Sequence, residues 1–533
     1  MLEASAHLHL KALLLSEGGA RWPHHLTLSR LVARSLRRSD HTLVCLTPGM
    51  EASWWPSLLV PMALSETPLA LVVSDALRRR LIQVEWPRLK AVGLHLPCWE
   101  GPGAPPGCRL WLLSPRELVQ AWRRGELGDR QLLIPEAERL EQELGAAQEV
   151  VVHPNDWDGL RRAFPAAEEA LLQFHGRLTR RLFSQPRHPE QLVAVEAHDE
   201  MPLRDLLGAL RPLPEPWPRW QAAAGPGWTS WAKVDPALLQ WQWIRQPLDP
   251  FQELTGLFEG RGAVLLGEVA SGGTGQAAAA GPGWAGWARV EPALLHWEWH
   301  RQPLNPFLEL AELFAGRGTV LLGEVAPGSA SDQGWTPRVV VELDDPPLGD
   351  PLPLYAPLRQ PLPNSPPFAD HLLDHCRRLV LGQAGLTVIL LDDRGLRAGL
   401  ASALAAEFGS RVTEHCTAPE SNGVICAAWS WWLDHQSRLP VPDQVIVALL
   451  PIASLEDPLT AARVARMRQQ GRDWFRELLL PDALQRLQRG LACLRRSGGR
   501  AAVLDGRLRT RAWGRQVFRA LEPTVPLTRL LPS

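Results

Sequence analysis

Lysine is nearly absent from this chain of 533 residues, in which only three of the 56 basic residues are not arginine. None of the three, Lys11, Lys90 and Lys233, follows a glycine or precedes a serine or threonine. A loop that wraps nucleotide phosphates in the standard way needs a lysine in that setting, because the lysine reaches the β- and γ-phosphates and the next hydroxyl binds Mg²⁺. The scarcity of lysine therefore excludes a standard loop of this kind.

Cysteine and long apolar runs are also scarce. The seven cysteines are scattered and include no CxxC pair, which argues against a disulfide framework and for reduced thiols. No run reaches the ~18 apolar residues of a membrane span, and the N-terminus lacks the pattern of a signal peptide. We therefore expect a cytoplasmic protein with no membrane partner.

Arginine is concentrated near the C-terminus. The net charge is −1, but residues 461–520 contain fifteen arginines and four acidic residues. Such a region is suited to contact phosphate groups, and it is equally consistent with solvated helix faces. Composition alone leaves both interpretations open.

Short apolar runs alternate with helical patterns in both halves of the chain, as is typical of parallel sheets covered on both faces. The region 148–220 is mostly helical, and the proline-rich stretch 346–367 predicts a linker. Strands are predicted at 42–46, 69–73, 110–113, 132–134, 386–391, 412–415, 423–427, 445–449 and 501–504.

An internal repeat lies in the first half. Residues 226–270 recur as 282–326, with 32 of 45 aligned positions identical. Each copy contains alternating tryptophans, which predict one strand, and ends in a second strand reading VLLGEV. Two nearly identical copies favour a tandem duplication over a longer repeat architecture.

Three C-terminal segments together suggest a family. They read NGVICAAWSWW, VIVALLPIASLEDPLTAARVARMRQQGRDWFRELLLPDALQRLQRGL and LDGRLRTRAWGR. In order and spacing they resemble the second RecA-like lobe of DinG/XPD-family DNA helicases, whose segments read roughly SFWEGVD, LPF before a helix that begins with DP, QGxGRLIR, and DxRL before YGR. The matching residues include Leu450-Pro451, Asp457-Pro458 and Asp505 with Arg507.

The first half resembles the other lobe of the same family, in the same order. TPGMEASWW (47–55) stands at the place of the phosphate-binding loop, LLIPEAERL (132–140) at that of IDEAHRL, and VLLGEV at that of VLTSAT. The resemblance implies an α/β fold of two RecA-like lobes with parallel sheets. The expected parts are a first lobe 1–345 with the helical insertion 148–220, the linker 346–367, and a second lobe 368–533.

The residues that the family uses for ATP are mostly replaced. Trp54 and Trp55 stand where the lysine and the hydroxyl residue belong, and Gly49 is the one glycine left in that loop. The acidic pair that holds Mg²⁺ and orients water is reduced to Glu136, and of two arginine fingers Arg496 remains. Only Cys98 and Cys108 lie where the family often carries four iron–sulfur ligands. We therefore expect no ATP, Mg²⁺ or iron–sulfur cofactor.

Family membership would imply an ATP-dependent DNA helicase, and the lost residues argue for a pseudo-helicase that still binds nucleic acid. Two alternatives stay open: an active helicase with divergent motifs, and a non-catalytic scaffold for a protein partner. Arginine contacts phosphates and exposed tryptophan stacks on bases, so single-stranded DNA is the expected partner. The candidate contacts are Arg489, Arg495, Arg496, Arg507, Trp431 and Trp432.

The family has one strand position for a VLLGEV segment, whereas this chain has two such segments. Both cannot occupy it. We expect one copy in the sheet and the other outside it, and both copies have the same apolar pattern.

Overall fold

A computed structural model describes residues 2–19, 22–47, 52–148, 150–184, 192–193, 195, 197–222 and 350–527. Between these last two ranges it describes seven segments, at 228–236, 240–247, 262–269, 284–291, 295–303, 318–324 and 338–343.

The first lobe contains eleven described α-helices and fourteen described strands. The helices are α1 (Leu2–Ser16), α2 (His25–Arg38), α3 (Trp55–Leu64), α4 (Asp75–Arg80), α5 (Trp86–Ala91), α6 (Pro115–Arg123), α7 (Ala137–Ala147), α8 (Pro154–Ala163), α9 (Glu168–Ser184), α10 (Ala197–Ala209) and α11 (Trp217–Ala222). The strands are β1 (Thr42–Leu46), β2 (Leu69–Val72), β3 (Cys98–Glu100), β4 (Leu110–Leu113), β5 (Gln131–Ile134), β6 (Val150–Val152), β7 (Leu192–Val193), β8 (Trp228–Pro236), β9 (Gln240–Pro247), β10 (Gly262–Val269), β11 (Trp284–Glu291), β12 (Leu295–Pro303), β13 (Gly318–Glu324) and β14 (Val339–Leu343).

The central sheet of this lobe is parallel, with the strand order β1-β10-β13-β5-β2-β4-β3. Strands β1, β2, β4 and β5 are buried along their whole length. Continuous apolar runs of this kind suit strands with helices on both faces. One face packs against α1, α2 and α3, and the other against α6 and α7. The four strands predicted in this half are therefore confirmed.

A second sheet of the first lobe was not predicted. Its strand order is β6-β9-β8-β12-β11-β7, and the hairpins β8–β9 and β11–β12, one from each repeat copy, are antiparallel. The prediction of one tryptophan-rich strand per copy was therefore incomplete, because each copy adds a second strand before it. The region 148–220 contains the four helices α8–α11, and its strand β6 pairs with β9.

The two VLLGEV strands, β10 and β13, pair with the same neighbours. Thr42 of β1 is paired with Val264 and also with Val320, and Leu132 of β5 with Ala263 and also with Thr319. The two strands also pair with each other and lie side by side between β1 and β5. The expectation that one copy lies outside the sheet was therefore wrong, because both copies have the continuous apolar pattern of a central strand.

The second lobe contains seven described α-helices and seven described strands. The helices are α12 (Phe368–Leu381), α13 (Arg394–Phe408), α14 (Trp429–His435), α15 (Pro458–Gln469), α16 (Leu480–Ser497), α17 (Arg507–Thr510) and α18 (Gly514–Ala520). The strands are β15 (Leu352–Tyr355), β16 (Thr387–Leu390), β17 (Val412–Glu414), β18 (Val424–Ala427), β19 (Gln444–Val447), β20 (Arg500–Val503) and β21 (Thr524–Pro526).

These seven strands form one parallel sheet with the order β17-β18-β16-β19-β20-β15-β21. The five strands predicted for this half are all present. Strand β15 lies inside the stretch predicted as a linker and pairs with β20 and β21. The linker prediction was wrong there because prolines on both sides of Leu354 count against a strand in sequence reasoning.

None of the described helices combines the length and the apolar character that a bilayer-spanning segment requires.

Candidate functional site

The place of the phosphate-binding loop follows strand β1. Gly49 lies outside the described residues, and the chain continues through Trp54 into α3, which begins at Trp55. Trp54 is 6% exposed and Trp55 is fully buried. Their ring centroids are 4.5 Å apart, and both pack into the apolar cluster beneath α1 and α2. An indole in the core cannot neutralise a phosphate or bind a metal, so these two positions do not fit Mg-ATP.

Glu136 lies at the carboxyl end of β5, directly before α7. Its backbone has a φ of 67°, in the left-handed region that residues other than glycine rarely adopt. Its side chain does not cap α7. Instead, Oε2 accepts a 3.4 Å hydrogen bond from the amide of Ser74, and Oε1 lies 4.0 Å from Nη1 of Arg139. Glu136 therefore lies in the turn that directly precedes the helix.

The surroundings of Glu136 leave little room. Burial raises the pKa of its carboxyl group, although Arg139 opposes that shift. The adjoining cavity, which Ser74, Glu136 and Arg139 help to line, has a volume of about 20 Å³. That is space for about one water molecule, whereas sites for small ligands usually occupy hundreds of cubic ångströms. This cavity is smaller than a nucleotide phosphate group.

The second and third residues of α7, Glu138 and Arg139, form ion pairs with the second lobe. Nη1 of Arg139 lies 3.0 Å from Oδ1 of Asp434 on α14. Nη2 of Arg489 on α16 lies 3.6 Å from Oε1 of Glu138, whose side chain is only 5% exposed. Sequence reasoning missed both ion pairs. It assigned Arg489 to nucleic acid, whereas the structure pairs this arginine with a carboxylate.

Arg495 and Arg507, two other candidates for phosphate contact, are held by their own lobe. The guanidinium group of Arg495 donates to the carbonyl oxygens of Leu521, Glu522 and Pro523. That of Arg507 makes a two-pronged ion pair with Asp505, with hydrogen bonds of 3.0 Å and 2.6 Å. These contacts tie both arginines to the fold of the second lobe, and their assignment to nucleic acid stays a prediction.

Asp505 is the centre of a buried polar cluster. Its side chain is fully buried. Besides the Arg507 guanidinium group it accepts hydrogen bonds from the amides of Leu450 and Arg507, at 3.0 Å and 2.9 Å. These contacts join the loop after β19 to the turn before α17, so the aspartate that marked the family resemblance has a structural role.

The two candidate tryptophans of α14 differ sharply. Trp432 is fully buried, and its Nε1 donates a 2.9 Å hydrogen bond to the carbonyl of Gly490 on α16. This burial removes Trp432 from the possible stacking platforms. Trp431 is partly exposed and stacks on His435, with ring centroids 4.5 Å apart and planes 11° from parallel.

Gly490 explains how α14 and α16 approach so closely. A Cβ atom at this position would lie 2.6 Å from the ring of Trp429, a distance that requires the chain to shift. The helices can therefore pack with the Trp432 hydrogen bond intact only because residue 490 lacks a side chain. Among the candidates in this region, Arg496 at the end of α16 is exposed and Trp431 is partly exposed.

The two cysteines expected near a family cluster site do not form one. Cys98 is on β3, where burial raises the pKa of its thiol. Cys108 donates from Sγ to the carbonyl of Leu110 at 3.1 Å. Within the described ranges there is no group of three or more histidine, cysteine or acidic side chains suited to hold a metal. The residues present do not fit a four-ligand iron–sulfur cluster.

Comparison with known proteins identifies relatives over short segments. No protein-family model matches the chain. It is 37% identical to the Escherichia coli (strain K12) "ATP-dependent DNA helicase YoaA" over 111 residues, 20% of this chain and 17% of the relative. It is 33% identical to the Bacillus subtilis (strain 168) "3'-5' exonuclease DinG" over 92 residues, 17% of this chain and 10% of the relative. The matches thus span less than a fifth of either relative.

Solved structures match over nearly the whole chain. S. tokodaii Xpd4 superposes with a TM-score of 0.56 at 10% identity, covering 92% of this chain and 97% of that protein. An apo XPD structure superposes with a TM-score of 0.50 at 11% identity, covering 94% and 100%. At such low identity the likeness shows the fold. Together, the sequence and structure matches show that the chain is related to the DinG/XPD-type helicases and shares their two-lobed RecA-like α/β fold.

Proposed function

We propose that this protein is a pseudo-helicase of the DinG/XPD type, which binds single-stranded nucleic acid without hydrolysing ATP. The observation that carries the proposal is the burial of Trp54 and Trp55 at the positions of the loop lysine and hydroxyl. Without these groups the site loses the contacts that hold the β- and γ-phosphates and Mg²⁺. Each lost charge-assisted contact costs about 1.5–3 kcal/mol, so several lost together lower nucleotide affinity by orders of magnitude.

The nucleic-acid part of the proposal is supported by the relatives and by the second lobe. The YoaA relatives are described as ATP-dependent DNA helicases. On this chain, exposed Arg496 and partly exposed Trp431 offer a cationic group and a stacking surface on neighbouring helices. Such pairs bind single strands with little regard to sequence, because every nucleotide has a phosphate and every base a π-face.

Substitution of these two residues is expected to weaken binding of a fluorescein-labelled oligothymidine in an anisotropy titration. Trp431→Ala should cost about 1–3 kcal/mol, the usual value of one stacked base. Arg496→Glu should weaken binding of oligonucleotides of every base sequence. It should also lower the slope of log affinity against log salt concentration by about 1.

The matched control is Arg378→Glu, which makes the same change of net charge at an arginine that is 55% exposed on α12. It should leave the slope unchanged. Equal effects of Arg496→Glu and Arg378→Glu would exclude a phosphate contact at Arg496. No measurable binding of the oligonucleotide by the unmodified chain would instead favour a protein-interaction scaffold.

A further inference from the structure

Two ion pairs beside Glu136 connect the two lobes, and they have opposite polarity. In one pair the first lobe supplies the carboxylate, and in the other it supplies the guanidinium group. On the first lobe, consecutive residues of α7 present a carboxylate (Glu138) and then a guanidinium group (Arg139). On the second lobe, Arg489 faces the carboxylate at 3.6 Å and Asp434 faces the guanidinium group at 3.0 Å. Each lobe therefore contributes one positive and one negative group, so the two lobes attract each other at both contacts.

The first-lobe groups are held in place before they meet the second lobe. Arg139 is also 3.4 Å from Oε1 of Glu143 and 4.0 Å from Oε1 of Glu136, both on its own side of the cleft. The backbone of Glu136 fixes the start of α7 in a left-handed turn. A guanidinium group already positioned by two carboxylates loses less side-chain entropy when a third one approaches.

The second-lobe groups form a single unit as well. Asp434 is on α14 and Arg489 on α16, and the Trp432 hydrogen bond to Gly490 ties these helices together at 2.9 Å. Two contacts on one rigid unit resist rotation of the lobes as well as their separation. A single ion pair would resist separation alone.

The two pairs differ in their exposure to solvent. The side chains of Glu138 and Arg489 are 5% and 18% exposed, whereas that of Asp434 is 45% exposed. Removing one partner of a shielded pair leaves an uncompensated charge out of water, which is strongly unfavourable. The Glu138–Arg489 pair should therefore contribute more to the resistance against rotation and separation of the lobes. The Arg139–Asp434 pair should be more sensitive to salt.

We propose that these two ion pairs form an interlobe latch, which holds the two RecA-like lobes in one relative orientation without a nucleotide. The latch is a property of the lobe interface and does not depend on nucleic-acid binding. In this proposal, four side chains of the chain itself bridge the cleft between the lobes. Core tryptophans occupy the positions of the phosphate-binding loop in that cleft.

Charge exchange tests the latch. Arg489→Glu is expected to broaden the distance distribution from small-angle X-ray scattering, and to speed hydrogen exchange in 137–147 on the order of tenfold. The double variant Glu138→Arg with Arg489→Glu restores opposite signs, so both measurements should return most of the way to those of the unmodified chain. Addition of Mg-ATP should change neither.

Arg378→Glu, which breaks the exposed Arg378–Asp374 pair within the second lobe, is the matched control and should leave both measurements unchanged. Asp434→Asn provides a milder second variant that removes one exposed charge. It should also speed hydrogen exchange in 137–147. The latch is refuted if Arg489→Glu behaves as the control does, or if the double variant is folded by circular dichroism and shows no recovery. If Arg489→Glu fails to fold, an unchanged exchange rate in Asp434→Asn refutes it.

Discussion

Replacing Trp54 by lysine and Trp55 by threonine should unfold the first lobe and should not create a phosphate-binding loop. Both indoles are in the core, at 6% and 0% exposure. Truncating one buried tryptophan typically costs about 3–5 kcal/mol, and a lysine placed there adds an unpaired buried charge. We expect the free energy of unfolding to fall by more than about 5 kcal/mol in a urea titration followed by tryptophan fluorescence.

Trp99→Lys is the matched control, because Trp99 is an edge-strand tryptophan that is 38% exposed. Its loss should cost no more than about 1 kcal/mol, as is usual at partly exposed positions. If the double variant instead keeps the stability of the control and gains Mg-ATP binding, then the two tryptophans are not core residues. The loop then still has the conformation of a phosphate-binding loop.

Asp505→Ala should be the most damaging single change in the second lobe. It leaves the guanidinium group of Arg507 and the amide of Leu450 without the buried carboxylate that they share. Breaking a buried ion pair on one side usually costs about 3–5 kcal/mol. The measurement is the urea midpoint of the unfolding transition of the second lobe, monitored by hydrogen exchange at residues 444–447 and 500–503.

Asp482→Ala provides the comparison for Asp505→Ala. Asp482 also pairs with an arginine, Arg486, at 3.0 Å, but its side chain is 41% exposed on the surface of α16. Surface pairs at this helical spacing contribute about 0.3–0.5 kcal/mol. Equal losses in the two variants would show that the Asp505 cluster does not stabilise the lobe.

The strands of both central sheets were predictable because burial on both faces requires continuous apolar runs, which are visible in the sequence. β15 was not predictable in the same way. Its prolines argue against a strand, and only its neighbours β20 and β21 show that it belongs to the sheet. The second sheet of the first lobe was missed for a related reason, since its pairings join the two repeat copies to β6 and β7.

The sequence predicts which nucleotide-binding residues the candidate site lacks, but it does not predict the contacts of that site. By resemblance, Trp54 stands at the place of the loop lysine. Whether Trp431 or its neighbour Trp432 is exposed depends on which face of α14 meets α16, and that is decided by the close approach at Gly490. The ion pair of Glu138 with Arg489 joins residues far apart in the chain, so neither charge reveals its partner in the sequence.

The proposed pseudo-helicase keeps the DinG/XPD-type fold without a working nucleotide site. Isothermal calorimetry of the unmodified chain with Mg-ATP, in the presence of single-stranded DNA, tests this proposal. We expect no saturable heat up to millimolar ATP and no release of phosphate, because the loop lysine, the hydroxyl residue and the metal-binding aspartate are all replaced. Micromolar binding, with DNA-stimulated phosphate release that is abolished by Glu136→Gln, would contradict this proposal and would show an active ATPase with divergent motifs.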